Sequence, residues 1–146
     1  HIIIRLSWLF SPFGENFVKT ILKLSKVKKT IQVINDQHGR PTYGIDLARI
    51  VLSNISKPDF FDFNSYNYAM QGTTTWFDFA AKIIAIKKSS CQIKSCLTTE
   101  YPALAKRPKH SVLDTKLIEN HLSLKIPSWE DSLRRCIKRI DNNEKI

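Results

Sequence analysis

The stretch from Ile2 to Phe10 (IIIRLSWLF) is apolar nearly throughout, and it is broken at once by Ser11-Pro12-Phe13-Gly14. A short, almost continuous apolar run bounded by turn residues suits a β-strand covered on both faces, the situation of a parallel sheet. Sequence that opens inside such a strand is expected to belong to a longer chain, whose further strands would complete the sheet.

Downstream, strand-like and helix-like segments alternate. Phe17, Val18, Ile21, Leu22 and Leu24 recur at helical spacing, with Lys19, Lys23 and Lys26 on the other side, so a helix is expected over 15–27. Thr30 to Ile34 reads as a short strand, followed by a polar loop over 35–41. Thr42 stands where it can cap a helix from Tyr43 to Asn54. Tyr66 to Met70 reads as a strand stopped by Gly72. Thr75 and Asp78 give a capping-box start to a helix ending near Ile86, with Phe77, Ala80, Ala81 and Ile84 as its face. Residues 87–113 read as mostly irregular, with a short strand at Gln92 to Cys96. Asp114 caps a short helix ending near Leu122, and Ser128 and Asp131 open a last one. In that last helix Trp129, Leu133, Cys136, Ile137 and Ile140 form an apolar stripe. Trp76, Phe77, Trp129 and Leu133 are read as core. The pattern predicts an α/β fold with few parallel strands and several helices.

Several chemistries are argued against by what the sequence lacks. The four glycines, Gly14, Gly39, Gly44 and Gly72, build no glycine-rich dinucleotide or phosphate loop. None of the four tyrosines has a lysine four residues on, since those positions hold Leu47, Met70, Gly72 and Ala105. The histidines are scattered, and the three cysteines form no CxxC pair, so free thiols in a reducing, cytoplasmic setting are expected and a protein-only metal site is not. No run approaches the roughly 20 apolar residues of a membrane span. The net charge of +10 favours an anionic partner. No basic helix interleaved with aromatics appears, so a phosphorylated small molecule is expected rather than nucleic acid.

Three blocks carry a specific resemblance. Arg5-Leu6-Ser7-Trp8-Leu9-Phe10-Ser11-Pro12-Phe13-Gly14-Glu15-Asn16-Phe17-Val18 resembles the R-T-S-W-V-Y-x-x-x-G-x-N-F-V block of dTDP-4-dehydrorhamnose reductases, which are extended short-chain dehydrogenase/reductases. Val33 to Tyr43 is similar to their V-x-D-Q-x-G-x-P-T-x, and Ala105 to Asp114 to their P-A-x-R-P-x-x-S-x-L-D. Gly72 to Ala80 and Pro127 to Ile137 add weaker matches, all in the family's order.

The resemblance implies that residues 1–146 are the C-terminal, sugar-nucleotide-binding portion of a Rossmann-like reductase. In that family the NADPH loop and the catalytic Tyr-x-x-x-Lys lie upstream of the matching strand, so this portion is expected to be inactive alone. It implies a dTDP-sugar as partner, held by Trp8 beside the sugar ring, Asn16 at a helix start, Gln37 and Thr42 in a loop along the nucleotide, and Arg107 on the diphosphate. It implies a homo-oligomer as well. In some members acidic side chains near the dimer contact hold Mg²⁺; Gln71 replaces one of them here, which argues against the metal. A non-catalytic regulatory or interaction subunit built on the same fold is the alternative.

Overall fold

The computed structural model describes residues 1–101, 105 and 107–143. In chain order the elements are β1 (Ile3–Leu6), β2 (Leu9–Phe10), α1 (Phe17–Val27), β3 (Thr30–Ile34), β4 (His38–Gly39), β5 (Thr42–Tyr43) and α2 (Gly44–Asn54). A 3-10 turn (Pro58–Phe61) leads to β6 (Ser65–Tyr68), β7 (Thr74–Thr75), α3 (Trp76–Lys87) and β8 (Gln92–Cys96). A second 3-10 turn (Thr98–Glu100) precedes β9 (His110–Ser111), α4 (Lys116–His121) and α5 (Trp129–Asn143).

The opening apolar run is not one strand. Trp8 sits at φ 47°, in the left-handed region, and divides the run into β1 and β2. β1 pairs in parallel with β6, from Ile3 opposite Ser65 to Leu6 opposite Tyr68, whereas β2 pairs in parallel with β5. Nor is β1 covered on both faces: its residues alternate between exposed and half-buried, and Ile3 is 51% exposed. Among the described residues β6 is its only strand neighbour. β3 and β8 form a further parallel pair, from Thr30 opposite Gln92 to Ile34 opposite Cys96. The loop over 35–41, expected to be irregular, contributes β4, which lies antiparallel to β7 and parallel to β9.

The helices follow their caps and apolar faces. Asn16 caps α1, its side-chain oxygen accepting from Lys19 N at 3.3 Å while its amide donates to Ser11 O at 2.9 Å. Val18, Ile21 and Leu22 turn inward. Thr75 Oγ1 accepts from Asp78 N at 3.0 Å and so caps α3. The buried face of α3 is Phe79, Ala80, Ile83 and Ile84, rotated from the expected one; Trp76 and Phe77 are only half-buried. Ser128 caps α5 by accepting from Asp131 N at 3.1 Å. All five residues of the α5 stripe are buried, with Leu133 and Cys136 fully enclosed.

Two caps differ from expectation. Thr42 does not cap α2: it is fully buried in β5, and its hydroxyl donates to Tyr68 O at 3.3 Å. At α4, Thr115 occupies the cap position, while Asp114 Oδ1 accepts from Lys116 N at 2.9 Å from one residue earlier.

One buried charge ties α2 to α5. Asp46 is held by both terminal nitrogens of Arg135, Nη1 donating to Oδ1 at 2.6 Å, and by the Ser132 hydroxyl at 3.1 Å. A carboxylate removed from water in this way is stable only while its partners stay in place. The three cysteines are free and buried, and burial pushes the Cys136 thiol up to about 12.

Candidate functional site

A cleft of about 170 Å³ lies where the β1–β2 break, the β3–β4 loop and the segment before β9 meet. Its walls are Ser7, Trp8, Gln37, Trp76, Arg107, Pro108 and Ser111. Trp8, Gln37 and Arg107, singled out from three distant stretches of sequence, therefore share one cavity. A larger hollow of about 650 Å³ adjoins it, bordered by Phe17, Ile21 and Leu24 of α1 and Ile31 and Val33 of β3. Gln37, Trp76 and Arg107 line both spaces and stand at their junction.

Trp8 owes its position to its own backbone. The left-handed turn swings the indole out of the strand line and onto Trp76, with ring centroids 3.8 Å apart and planes inclined at 13°. Phe17 leans on the other partner of that pair at 4.6 Å from Trp76. Gly39 makes room for the indole, since a β-carbon there would lie 2.5 Å from Trp8 Cε2. One face of Trp8 is thus covered by Trp76, and the stacked pair, rather than a single open ring, forms the aromatic wall. Trp76, expected in the core, is a wall residue. Its position directly after β7, at the first turn of α3, was the available signal.

Gln37 is 4% exposed, and its amide nitrogen donates to Thr98 Oγ1 at 3.0 Å. Arg107 is exposed, and among the described residues no carboxylate pairs with it. Asn16 and Thr42 do not border the cleft; the amide of one and the hydroxyl of the other are engaged in the cap and backbone contacts given above.

Arg40, which sequence reasoning passed over, braces the site from behind. It is 8% exposed, donating through Nε to Met70 O at 2.7 Å and through Nη1 to Leu113 O at 3.0 Å and Thr115 Oγ1 at 3.3 Å. Its own carbonyl accepts from the Ser7 hydroxyl at 2.7 Å, next to Trp8. Burial lowers the pKa of its guanidinium, against the pull of Glu119 and Asp114.

The chemistry on offer is recognition: an aromatic wall, a cation, hydroxyls and an amide. Tyr68 is fully buried, its phenol pushed well above the ordinary range by burial, and no lysine stands four residues on. Gly39 and Gly72 do not open onto a phosphate cradle, because the space beside Gly39 is filled by Trp8 and that beside Gly72 by Trp129. Nor does Mg²⁺ fit at Gln71, whose amide donates to Glu119 Oε1 at 2.6 Å. Among the described residues no three His, Cys, Asp or Glu side chains gather to hold a metal, and no helix is long and apolar enough to cross a membrane.

Known proteins share the sequence pattern and the fold of this chain. The family model for the RmlD substrate binding domain matches residues 1–142. The dTDP-4-dehydrorhamnose reductase of Escherichia coli K12 is 34% identical over 151 residues, an overlap of 96% of this chain and 50% of that protein. The spore coat polysaccharide biosynthesis protein SpsK of Bacillus subtilis is 35% identical over 93% of this chain and 46% of its own length. In three dimensions, the crystal structure of dTDP-4-dehydrorhamnose reductase from Bacillus anthracis in complex with NADP superposes with a TM-score of 0.88 at 34% identity, covering 94% of this chain and 48% of that one. The chain spans about half the length of these relatives. Its α/β architecture is that of the extended short-chain reductases, and by the match over residues 1–142 the chain belongs to the RmlD substrate-binding domain family.

Proposed function

We propose that this chain is the sugar-nucleotide-binding portion of an NADPH-dependent reductase that converts dTDP-4-dehydro-L-rhamnose to dTDP-L-rhamnose, and that it grips the substrate without performing the reduction alone. The convergence of Trp8, Gln37 and Arg107 on one cavity supports this reading above all. The smaller space suits a sugar ring against the Trp8–Trp76 wall. The larger, mostly apolar hollow suits the nucleoside. Arg107 at their junction suits the diphosphate, which a planar guanidinium grips with two parallel hydrogen bonds. Hydride donation is the chemistry NADPH would supply when bound. We further infer a homo-oligomer, because Ile3 and Leu9 leave 51% and 53% of their surface exposed along the first strands, and a cytoplasmic setting, because the three cysteines are free thiols. Light scattering that found a compact monomer would count against that assembly.

Titration of the chain with dTDP-L-rhamnose, followed by calorimetry, tests the substrate reading. Arg107→Ala is expected to weaken binding roughly tenfold or more, since a hydrogen bond to a charged group contributes about 1.5–3 kcal/mol. Binding unchanged by that substitution would overturn the assignment. Fusion to the cofactor-binding half of the Bacillus anthracis relative should give NADPH-dependent turnover. A fusion that binds substrate and cofactor but never turns over would favour a non-catalytic partner role.

A further inference from the structure

We propose that Asp36 and Thr98 lock the carboxamide of Gln37 in one orientation, so that the cleft presents a carbonyl acceptor and takes a hydroxyl or N–H donor of its ligand at that point. The ligand half of this proposal rests on the nucleotide-sugar reading above.

Thr98 has a single hydroxyl proton, and it points to Asp36 Oδ1 at 2.7 Å; the same oxygen accepts from Thr98 N at 2.9 Å. An ionised carboxylate only accepts. The Thr98 hydroxyl holds the Asp36 carboxyl below the ordinary carboxylate range, so it is ionised at neutral pH. With its proton committed, Thr98 Oγ1 can only accept from Gln37, and what lies 3.0 Å away must be the amide nitrogen. Turning the amide over would bring two acceptors face to face. Gln37 is 4% exposed, so water offers little relief for that clash.

The amide oxygen is what remains for the cleft. Among the described residues Oε1 has no hydrogen-bond partner, and Gln37 borders both the cleft and the hollow at the junction it shares with Arg107. The junction therefore offers two unlike groups. Arg107 brings donors and positive charge, which suit phosphate. Gln37 brings an acceptor, which repels phosphate and selects a hydroxyl or a base N–H. Asp36 and Thr98 are positioning residues that set this polarity without touching the ligand.

Two measurements decide it. In the ligand-free chain, NMR should show Overhauser contacts from the Gln37 side-chain NH₂ to the Thr98 methyl; contacts to the Trp8 ring instead would overturn the lock. Thr98→Val keeps the volume and removes the acceptor, and it should weaken dTDP-L-rhamnose binding about three- to tenfold, the loss of roughly one hydrogen bond. Thr98→Ser should restore it, which a mere packing defect would not predict. Loss for dTDP-L-rhamnose but not for dTDP places the donor on the sugar, and equal loss for both places it on the nucleoside; either supports the proposal. If Arg107→Ala weakens binding and Thr98→Val does not, the acceptor role fails while the substrate reading stands. If the wild-type chain binds neither compound, the substrate reading fails and the ligand half of the proposal falls with it.

Discussion

Replacing Gly39 with alanine probes the cleft at its tightest point. A β-carbon there lies 2.5 Å from Trp8 Cε2, 2.6 Å from Cζ2 and 2.8 Å from Nε1. Carbon atoms settle at about 3.5–4.0 Å, so the indole or β4 must give by about 1 Å. The ring has little freedom to do so, because Trp76 is stacked on it at 3.8 Å. Overpacking of this kind costs about 1–3 kcal/mol, and disrupting the aromatic pair adds about 0.5–1.5 kcal/mol. One effect runs the other way. Gly39 is outside the left-handed region, so alanine restricts the unfolded chain at no backbone strain, a gain of about 0.4–1 kcal/mol. The net expectation is a loss of about 1–3 kcal/mol. Urea unfolding monitored by tryptophan fluorescence reads this directly. With a slope of about 2 kcal/mol per molar, the midpoint should fall by roughly 0.5–1.5 M, and the native emission should change as the Trp8–Trp76 pair separates. Gly44→Ala is the control, since its β-carbon meets nothing nearer than 3.6 Å. If Gly39→Ala left both midpoint and emission unchanged, the seating of Trp8 against Gly39 would be refuted.

Arg135→Met should destabilise the fold by about 2–3 kcal/mol in the same unfolding assay, because Asp46 keeps only the Ser132 hydroxyl and a distant Arg49 at 3.7 Å. The 40% exposure of the Arg135 side chain keeps the loss below that of a fully enclosed pair, and the effect should shrink in an Asp46→Asn background. Cys136 gives a pH signature. Its thiol is raised from 9.0 to about 12 by burial, so between these values the folded state retains a proton that the unfolded state has lost. Stability should therefore be full below pH 9 and decline as pH rises toward 12, by up to about 1.4 kcal/mol per unit from this group. Unfolding midpoints taken across that range check it, and Cys136→Ala should flatten the slope. Thiol titration with an aromatic disulfide at neutral pH should find Cys136 unreactive until denaturant is added; rapid native labelling there would contradict its burial.

Local patterns carried much of the fold. The α5 stripe, the Thr75 cap and the β3 and β8 segments are where residue spacing placed them, because each depends on neighbours within a few positions. The two-residue strands β4, β7 and β9 were not legible. Pairs such as His38 with Thr75 and with His110 are fixed by long-range packing rather than by any run of β-formers. The opening run misled for a related reason: hydrophobicity cannot report the change of backbone region at Trp8 that gives β1 and β2 different partners. At the site, the aromatic, amide and arginine residues were found through motif resemblance. Trp76 was missed because an aromatic in an apolar helix pattern reads as core. Arg40 was missed because its role exists only through carbonyls at positions 70 and 113, far away in the chain.

The φ of 47° at Trp8 puts position 8 under opposed demands. For a side chain with a β-carbon this backbone costs about 1–2 kcal/mol, and glycine alone would adopt it freely. Yet glycine would leave Trp76 without its stacking partner and open a void beside Gly39. Substitution here thus sets chain stability against cleft shape: a residue chosen to ease the turn dismantles the wall. A bulky replacement that preserves the wall inherits the strain, which the β1–β6 and β2–β5 pairings on either side must continue to hold.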